Sequence, residues 1–263
     1  GADPILCGFI GGEPGGVLRP LLDRLPGERR LIETAGSSGC YVQDRRSGER
    51  RLVSEALSAP PSRHELDALV SATCAAALDC QALVVCNPYP ADTLSLDVYG
   101  SLVADVGQNG VPVLVDLSSP RLEAALDGKP DLVKLNDWEL AEFVSGPVET
   151  PAELLAGARA LRDAGAAIVV VTRGEKPALV LHEEEAWTLT APRFDRGFRE
   201  GCGDSMMGGI AAQLAGGADW RQALITGAAA GAANFLRHGV GSASGGVVAD
   251  LGARVTLVRS AEG

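Results

Sequence analysis

The sequence predicts an α/β fold, a mostly parallel sheet covered by helices on both faces. Three observations carry that expectation. Runs of five apolar residues, Ala82–Cys86, Val111–Val115 and Ala167–Val171, are continuous and rich in branched side chains, as strands buried on both faces are. Longer amphipathic stretches separate them, as crossover helices do in a layered α/β domain. A chain of 263 residues, 46% hydrophobic and 22% charged, can bury a sizeable core and is not a disordered polymer.

Taken along the chain, the first element with a clear local signal is a hairpin over 38–55. Cys40-Tyr41-Val42 and Arg51-Leu52-Val53 are its arms, and Arg46-Ser47-Gly48-Glu49 its turn. The run Ala82–Cys86 reads as a strand and Thr93–Val106 as the helix after it. Val111–Val115 reads as a strand ending at Asp116, and Asp131-Leu132-Val133 as another. Helices over 136–144 and near 151–164 lead to the strand Ala167–Val171. Ala178–Leu181 and Ala186–Leu189 flank an acidic turn at Glu183–Glu185, which suggests two antiparallel strands at one sheet edge. Gly201-Cys202-Gly203-Asp204 opens a helix whose Met207, Ile210, Ala211 and Leu214 share a face. Asp219 caps a helix from Trp220 to Arg237, which Gly239-Val240-Gly241 is expected to end. With no internal repeat and no long linker, one domain over 1–263 is expected, with a small β excursion at about 29–55.

Charge and composition exclude several classes. A formal charge of −11 repels nucleic acid and anionic membrane, so neither is an expected partner. No apolar run reaches the roughly 18–20 residues of a membrane span. The six cysteines, Cys7, Cys40, Cys74, Cys80, Cys86 and Cys202, form no CxxC, and are expected as buried free thiols in a reducing compartment. Three histidines in no ligating pattern argue against a histidine metal site, and GxSxG is missing.

Three segments could carry chemistry. At Gly201–Asp204, flexible residues bring backbone N–H groups to a helix N-terminus, where an anion is favoured. An aspartate there would repel phosphate, unless it removes a proton while the N–H groups hold the developing charge. The competing explanation is a plain helix cap. In Lys134-Leu135-Asn136-Asp137-Trp138-Glu139, Asn136 and Glu139 share a helix face and could hold a hydrated Mg²⁺; a capping box explains them equally simply. Val171-Thr172-Arg173-Gly174 is a strand end with a turn, either a ligand-binding strand terminus or an ordinary β-turn. The arginines Arg45, Arg46, Arg50 and Arg51 read as solvation of an exposed hairpin.

In order and spacing, these segments resemble the PfkB (ribokinase-like) carbohydrate kinases, nearest the 1-phosphofructokinase and tagatose-6-phosphate kinase branch. Residues 4–12 resemble the family's strand and glycine pair. Val113–Asp116 followed by Lys134–Glu139 resembles its "D…KPNxxE" run, Val171–Gly174 its VTxG, and Gly201–Ser205 its GxGDS. Ala228–Gly241 resembles its closing nucleotide-pocket helix and loop. The resemblance implies a three-layer α/β/α sandwich with a small β lid, and an ATP- and Mg²⁺-dependent phosphotransferase acting on a hydroxyl of a sugar or sugar phosphate. It implies Asp204 as general base and the N–H groups of Gly201, Cys202 and Gly203 as the anion hole. Asn136 and Glu139 would organise Mg²⁺. Lys134, Thr172, Arg173, Gly174, Asn234 and Gly239 would lie near the nucleotide. A homodimer through the β lid and a cytoplasmic location would go with it.

The chain also departs from that pattern. The family begins with a strand carrying a sugar-binding Asp and a GGKGxN-type segment, and this sequence has neither. A start upstream of residue 1 and a short form with an incomplete sugar site are both open. Ser37-Ser38 stands where the sugar-phosphate branch has Thr-Arg, and Asn87-Pro88-Tyr89-Pro90 where it has SGSLP. Arg199 replaces a Thr before GxGD, and Pro177 a Gly after VTxG. An unphosphorylated sugar or nucleoside as acceptor, or a non-catalytic nucleotide-binding relative, remain the alternatives.

Overall fold

The computed structural model describes residues 2–46 and 51–260. The chain divides into two compact units, one of Cys80–Cys86 and Tyr99 onward, the other of Asp3–Asp79 and Asn87–Val98.

The smaller unit starts with β1 (Ile5–Ile10), α1 (Gly12–Leu22) and β2 (Glu28–Glu33), in which β1 and β2 pair in parallel. A hairpin follows, β3 (Cys40–Asp44) and β4 (Arg51–Ala56), antiparallel with a register shift between Val42 and Gln43. The predicted arms are therefore strands, while most of the predicted turn, Ser47–Glu49, and Arg50 lie outside the described residues. Helix α2 (Arg63–Leu78) begins at a capping box, Ser62 with Glu65, which satisfies two N-terminal N–H groups at once. The tip of β1 is tied to the next loop: the Gly11 N–H donates to Ser38 Oγ at 3.0 Å, and Gly12 sits where a Cβ would strike Ser37. Tyr89 donates to Glu55 and its ring meets Tyr41 edge-on, so the Asn87–Pro90 turn and the hairpin are stapled within this unit.

The larger unit is built on seven strands. In chain order they are β5 (Leu83–Cys86), β6 (Val113–Asp116), β7 (Leu132–Asn136), β8 (Ile168–Arg173), β9 (Lys176–His182), β10 (Glu185–Thr190) and β11 (Thr256–Arg259). They lie in the order β11-β10-β9-β8-β7-β6-β5, parallel from β5 to β8 and antiparallel from β8 to β11. The helices are α3 (Leu96–Gln108, in this unit from Tyr99), α4 (Arg121–Leu126), α5 (Asp137–Phe143), α6 (Pro151–Asp163), α7 (Cys202–Ala215), α8 (Trp220–Phe235) and α9 (Gly245–Gly252).

Alternation along the strands assigns each residue to a face. Leu114, Leu132, Val170 and Val180 join Met206, Met207, Ile210 and Leu224 of α7 and α8 in one cluster. Helices α5 and α6 pack on β7, β8 and β9. The fully buried β strands explain why their sequences are continuous apolar runs.

Three expectations need correcting. Gly239–Gly241 does not end α8: the helix stops at Phe235 with Leu236 as C-cap, still in the right-handed helical region. The side chain of Asn234 takes up the backbone that follows, which leaves no need for a glycine cap. The two acidic-turn strands, β9 and β10, are not an edge, because the four-residue β11 pairs outside them; so short and polar a strand gives no periodic signal. The cysteines are free but none is buried: Cys40 and Cys86 are exposed and the rest intermediate. Cys40 lies on the exposed hairpin and Cys86 at a strand end. Among the described residues, no helix is long and apolar enough to cross a membrane.

Candidate active site

Four neighbouring strands bring their C-terminal ends into line. Cys86 of β5 stands opposite Asp116 of β6, and Asn136 of β7 opposite Thr172 of β8. Such strand ends, where helices then begin, are the ligand-binding side of an open parallel sheet.

The centre of this row is an ion pair. Lys134 Nζ donates to Asp116 Oδ2 at 2.7 Å, and both side chains are nearly buried, 8% and 12% exposed. Burial raises Asp116 above the usual carboxylate range, Lys134 opposes that, and Asp204 adds to it. Burial also raises Glu139; the Asn136 N–H opposes it, and Asp116 adds to it. Cys86 keeps exposed surface, yet desolvation of its thiol, then Asp116 and Asp204, push it up to about 11. The charges of Lys134 and Asp204 thus act on Asp116, and those of Asp116 and Lys134 on Glu139.

Over this pair lies the entry to α7. Gly201 is the N-cap, left-handed at φ +70°, and no side chain caps the helix. Asp204 is therefore not the plain cap that the sequence also allowed: it sits in the first turn, exposed, and forms no hydrogen bond or ion pair with any described residue. Gly203 lies so close to the ion pair that a Cβ there would be 2.6 Å from Lys134 Nζ and 3.7 Å from Asp116 Oδ2. Only a glycine lets the backbone approach an ammonium this closely. The Cys202 N–H makes a long bond of 3.3 Å to the Arg199 carbonyl, while those of Gly203 and Asp204 find no acceptor among the described residues.

The remaining sequence-selected residues fall into two groups. Asn136 and Glu139 form a capping box at α5: Asn136 Oδ1 accepts from the Glu139 N–H at 3.0 Å, and Glu139 Oε2 accepts from the Asn136 N–H at 2.8 Å. Thr172 Oγ1 donates to the Leu135 carbonyl at 3.2 Å, locking β8 to β7. Arg173 Nε is buried without a partner among the described residues, and Gly174, φ +62°, makes the turn to β9. Asn234 is 1% exposed, and its amide bonds entirely within the protein. Gly239 lies in the loop after α8, where its carbonyl accepts from Ser242 Oγ.

Sequence reasoning quoted Asp116 but gave it no role; the signal was there, a lone carboxylate ending an apolar strand. A cavity of about 270 Å³ lined by Asp131, Ile168, His182 and Trp220 lies at the opposite ends of β7 and β8, away from this row.

A profile of the pfkB family of carbohydrate kinases matches residues 81–244. The chain belongs to this family. Its matched segment holds β5, the Lys134–Asp116 pair, the capping box and the α7 entry. Three curated proteins that this pfkB chain resembles in part are named as kinases of sugar phosphates. It is 34% identical to a 1-phosphofructokinase of Xanthomonas campestris over 122 residues, 45% of this chain and 38% of that protein. It is 31% identical to ATP-dependent 6-phosphofructokinase isozyme 2 of Escherichia coli over 148 residues, 56% and 48%. It is 30% identical to a D-tagatose-1-phosphate kinase of Bacillus licheniformis over 149 residues, 56% and 49%. The matches span less than half the length of these relatives. Among solved structures, phosphofructokinase-2 of Escherichia coli in complex with potassium superposes with a TM-score of 0.82 at 25% identity, covering 97% of this chain and 82% of that one. A ribokinase of Arabidopsis thaliana, TM-score 0.76 at 18% identity over 95% of this chain and 82% of that one, agrees in fold. The fold is the ribokinase-like α/β/α sandwich.

Proposed function

We propose that the chain transfers the γ-phosphoryl group of ATP to a hydroxyl of a sugar phosphate, in the manner of a 1-phosphofructokinase. The observation that carries this reading is the uncapped α7 entry: an exposed Asp204, its side chain unpaired among the described residues, beside the Gly203 and Asp204 N–H groups that find no acceptor among them, directly over a buried ammonium. Asp204 takes the proton from the attacking hydroxyl. The N–H groups at Gly201–Asp204, with the dipole of α7, hold the negative charge of the phosphoryl group as it passes. Phosphoryl transfer demands positioning and charge stabilisation more than covalent help, and these rigid groups supply both.

Asn136 and Glu139 present an amide and a carboxylate oxygen beside Asp116, hard oxygen donors of the kind a divalent cation takes. Among the described residues, no group of three or more His, Cys, Asp or Glu side chains is gathered tightly enough to enclose a metal. Asn136 and Glu139 would therefore hold a Mg²⁺ that keeps water and phosphate oxygens as its other ligands. When bound, it would supply neutralisation of the phosphate charge. Lys134, Thr172, Arg173, Gly174 and Gly239 would border the nucleotide. We treat 1–263 as one kinase domain with the β excursion near 29–55 as lid, pairing two subunits, in a cytoplasmic setting that suits six free cysteines.

Ser37 and Ser38 favour a second acceptor class. Both lie against Gly11–Gly12, and neither supplies the cation that a substrate phosphate would need. The test is an acceptor panel with ATP and Mg²⁺, following ADP release. Preference for fructose 1-phosphate or tagatose phosphate supports the proposal, preference for an unphosphorylated sugar or nucleoside replaces its acceptor, and nucleotide binding without turnover on any acceptor overturns it.

A further inference from the structure

Among the described residues, Asn234 is one of two polar residues in the buried interior, and the other, Lys134, already belongs to the site. It stands in the last turn of α8, two residues before the C-cap. Its Nδ2 donates to the Glu200 carbonyl at 2.7 Å and lies 3.6 Å from Cys202 Sγ. Its Oδ1 accepts from the Gly241 N–H at 2.8 Å. One amide thus holds two backbone segments: the residues around Gly201 and the loop that follows α8. Other contacts join the same two segments. The Phe198 N–H donates to the Phe235 carbonyl at 2.7 Å, the Phe198 and His238 rings meet at 4.3 Å, and Val240 Cγ1 lies 2.8 Å from where a Gly201 Cβ would be. The loop after α8 therefore presses on the residue whose left-handed turn aims the α7 N–H groups.

From this we infer that Asn234 is a positioning residue for phosphoryl transfer: it locks the Gly201 turn and the Gly239–Gly241 loop into one rigid unit, and takes no part in binding the nucleotide. The two N–H groups of this amide face the Glu200 carbonyl and Cys202 Sγ, its oxygen already accepts from Gly241, and at 1% exposure the remaining lone pair has no access to a ligand. Replacing it with an apolar residue would leave the Glu200 carbonyl and the Gly241 N–H without partners, so each segment would be free to seek water. The N–H groups over the phosphoryl path would then lose their fixed direction, and preorganisation is what makes such groups effective.

The inference rests on the kinase reading, and its test separates the two. The variants are Asn234→Leu and Val240→Ala; Val240 is 67% exposed, so the second folds even if the first does not. Turnover per folded molecule is measured well below the melting temperature, together with affinity for ADP alone and for ADP with aluminium fluoride, a mimic of the transferring phosphoryl group. Asn234→Leu is expected to lower kcat by 10-fold or more and to weaken the aluminium fluoride complex by as much, with affinity for ADP alone, which the freed Gly239 loop borders, falling by a clearly smaller factor. Val240→Ala should do the same to a lesser degree. Amide hydrogen exchange should rise together at 199–203 and 239–241 in both, a readout that needs no catalysis. Weakened ADP binding with unchanged kcat would make Asn234 a nucleotide ligand and overturn the inference, as would loss of stability with kcat and hydrogen exchange at these segments unchanged. A wild-type protein inactive on every acceptor overturns the kinase reading, whereas an active one indifferent to both variants overturns only this inference.

Discussion

In the larger unit, β6, β7 and β8 are sealed: Val113–Val115, Leu132–Leu135 and Val169–Val171 are all buried. In the smaller unit, every residue of β4 is exposed, and β3 has no buried residue. One unit holds its polar groups on a rigid sheet, where Asp116, Lys134 and Asn136 have no freedom to move. The other leans on hydrogen bonds, an aromatic contact and capping, such as Tyr89 to Glu55 and Gly11 to Ser38. Rigid support is what the proposed charge stabilisation of a transferred phosphoryl group requires, and the family profile, over 81–244, falls mostly in the larger unit. A hairpin without its own core can exchange residues at little cost in stability.

The widest contrast is expected from Asp204. Asp204→Ala should lower turnover by about 10²–10⁴-fold while leaving the unfolding midpoint unchanged, because the side chain is exposed and unpaired. Steady-state kinetics on the preferred acceptor, with urea unfolding alongside, checks both halves. Activity within tenfold of wild type would remove the main support for the larger unit as the site of chemistry.

Asp116→Ala addresses stability instead. It leaves the Lys134 ammonium buried without its partner, for an expected loss of about 3–5 kcal/mol. Lys134→Met added to Asp116→Ala should restore most of that loss while activity stays low. A single variant as stable as wild type would mean that the pair is solvated, and that the two units differ less than their burial suggests.

Gly201→Ala is next. An alanine at φ +70° costs about 1–2 kcal/mol, and its Cβ would sit 2.8 Å from Val240 Cγ1. Thermal unfolding should shift accordingly, with kcat falling more than the acceptor KM rises. In pH, the raised pKa values of Asp116 and Glu139 mean that both protonate before an ordinary carboxylate would as the solution is acidified. Activity should therefore begin to fall above the usual carboxylate range near about pH 4. The stability these groups contribute runs the other way, fully present in acid and lost as pH rises through their folded values. A kcat/KM profile and unfolding against pH would show the opposed trends, and an acid limb at ordinary carboxylate values would break the link to burial.

Much of this was legible in the sequence, for a physical reason. Strands buried on both faces must be apolar throughout, so β6 and β8 announce themselves; β5 does so too, although it is an edge strand whose residues are half-buried or exposed, and capping boxes repeat a fixed spacing. Gly201–Asp204 could be read as a site or a cap, and the structure shows no side-chain cap bond there. What was not legible depends on partners distant in sequence. That Lys134 pairs with Asp116 follows from two strands meeting side by side. That Asn234 faces inward follows from a loop folding back on Glu200. Strand β11 is too short and polar for any periodic signal.

The smallest effect is expected at the hairpin. Val42 and Val53 are 60% and 62% exposed, so Val42→Thr with Val53→Thr should change the stability of the single chain by less than about 0.5 kcal/mol. The same change discriminates between two uses of the hairpin. If the lid pairs two subunits, these valines lose water contact on association, and the polar replacement weakens that step. Sedimentation of wild type and variant over a range of concentrations would show the dimer dissociating at higher concentration in the variant. An unchanged monomer–dimer balance would exclude these valines from the subunit contact. A large loss of chain stability would instead show that β3 and β4 bury surface against the rest of their unit, and the contrast between a sealed unit and an open one would have to be withdrawn.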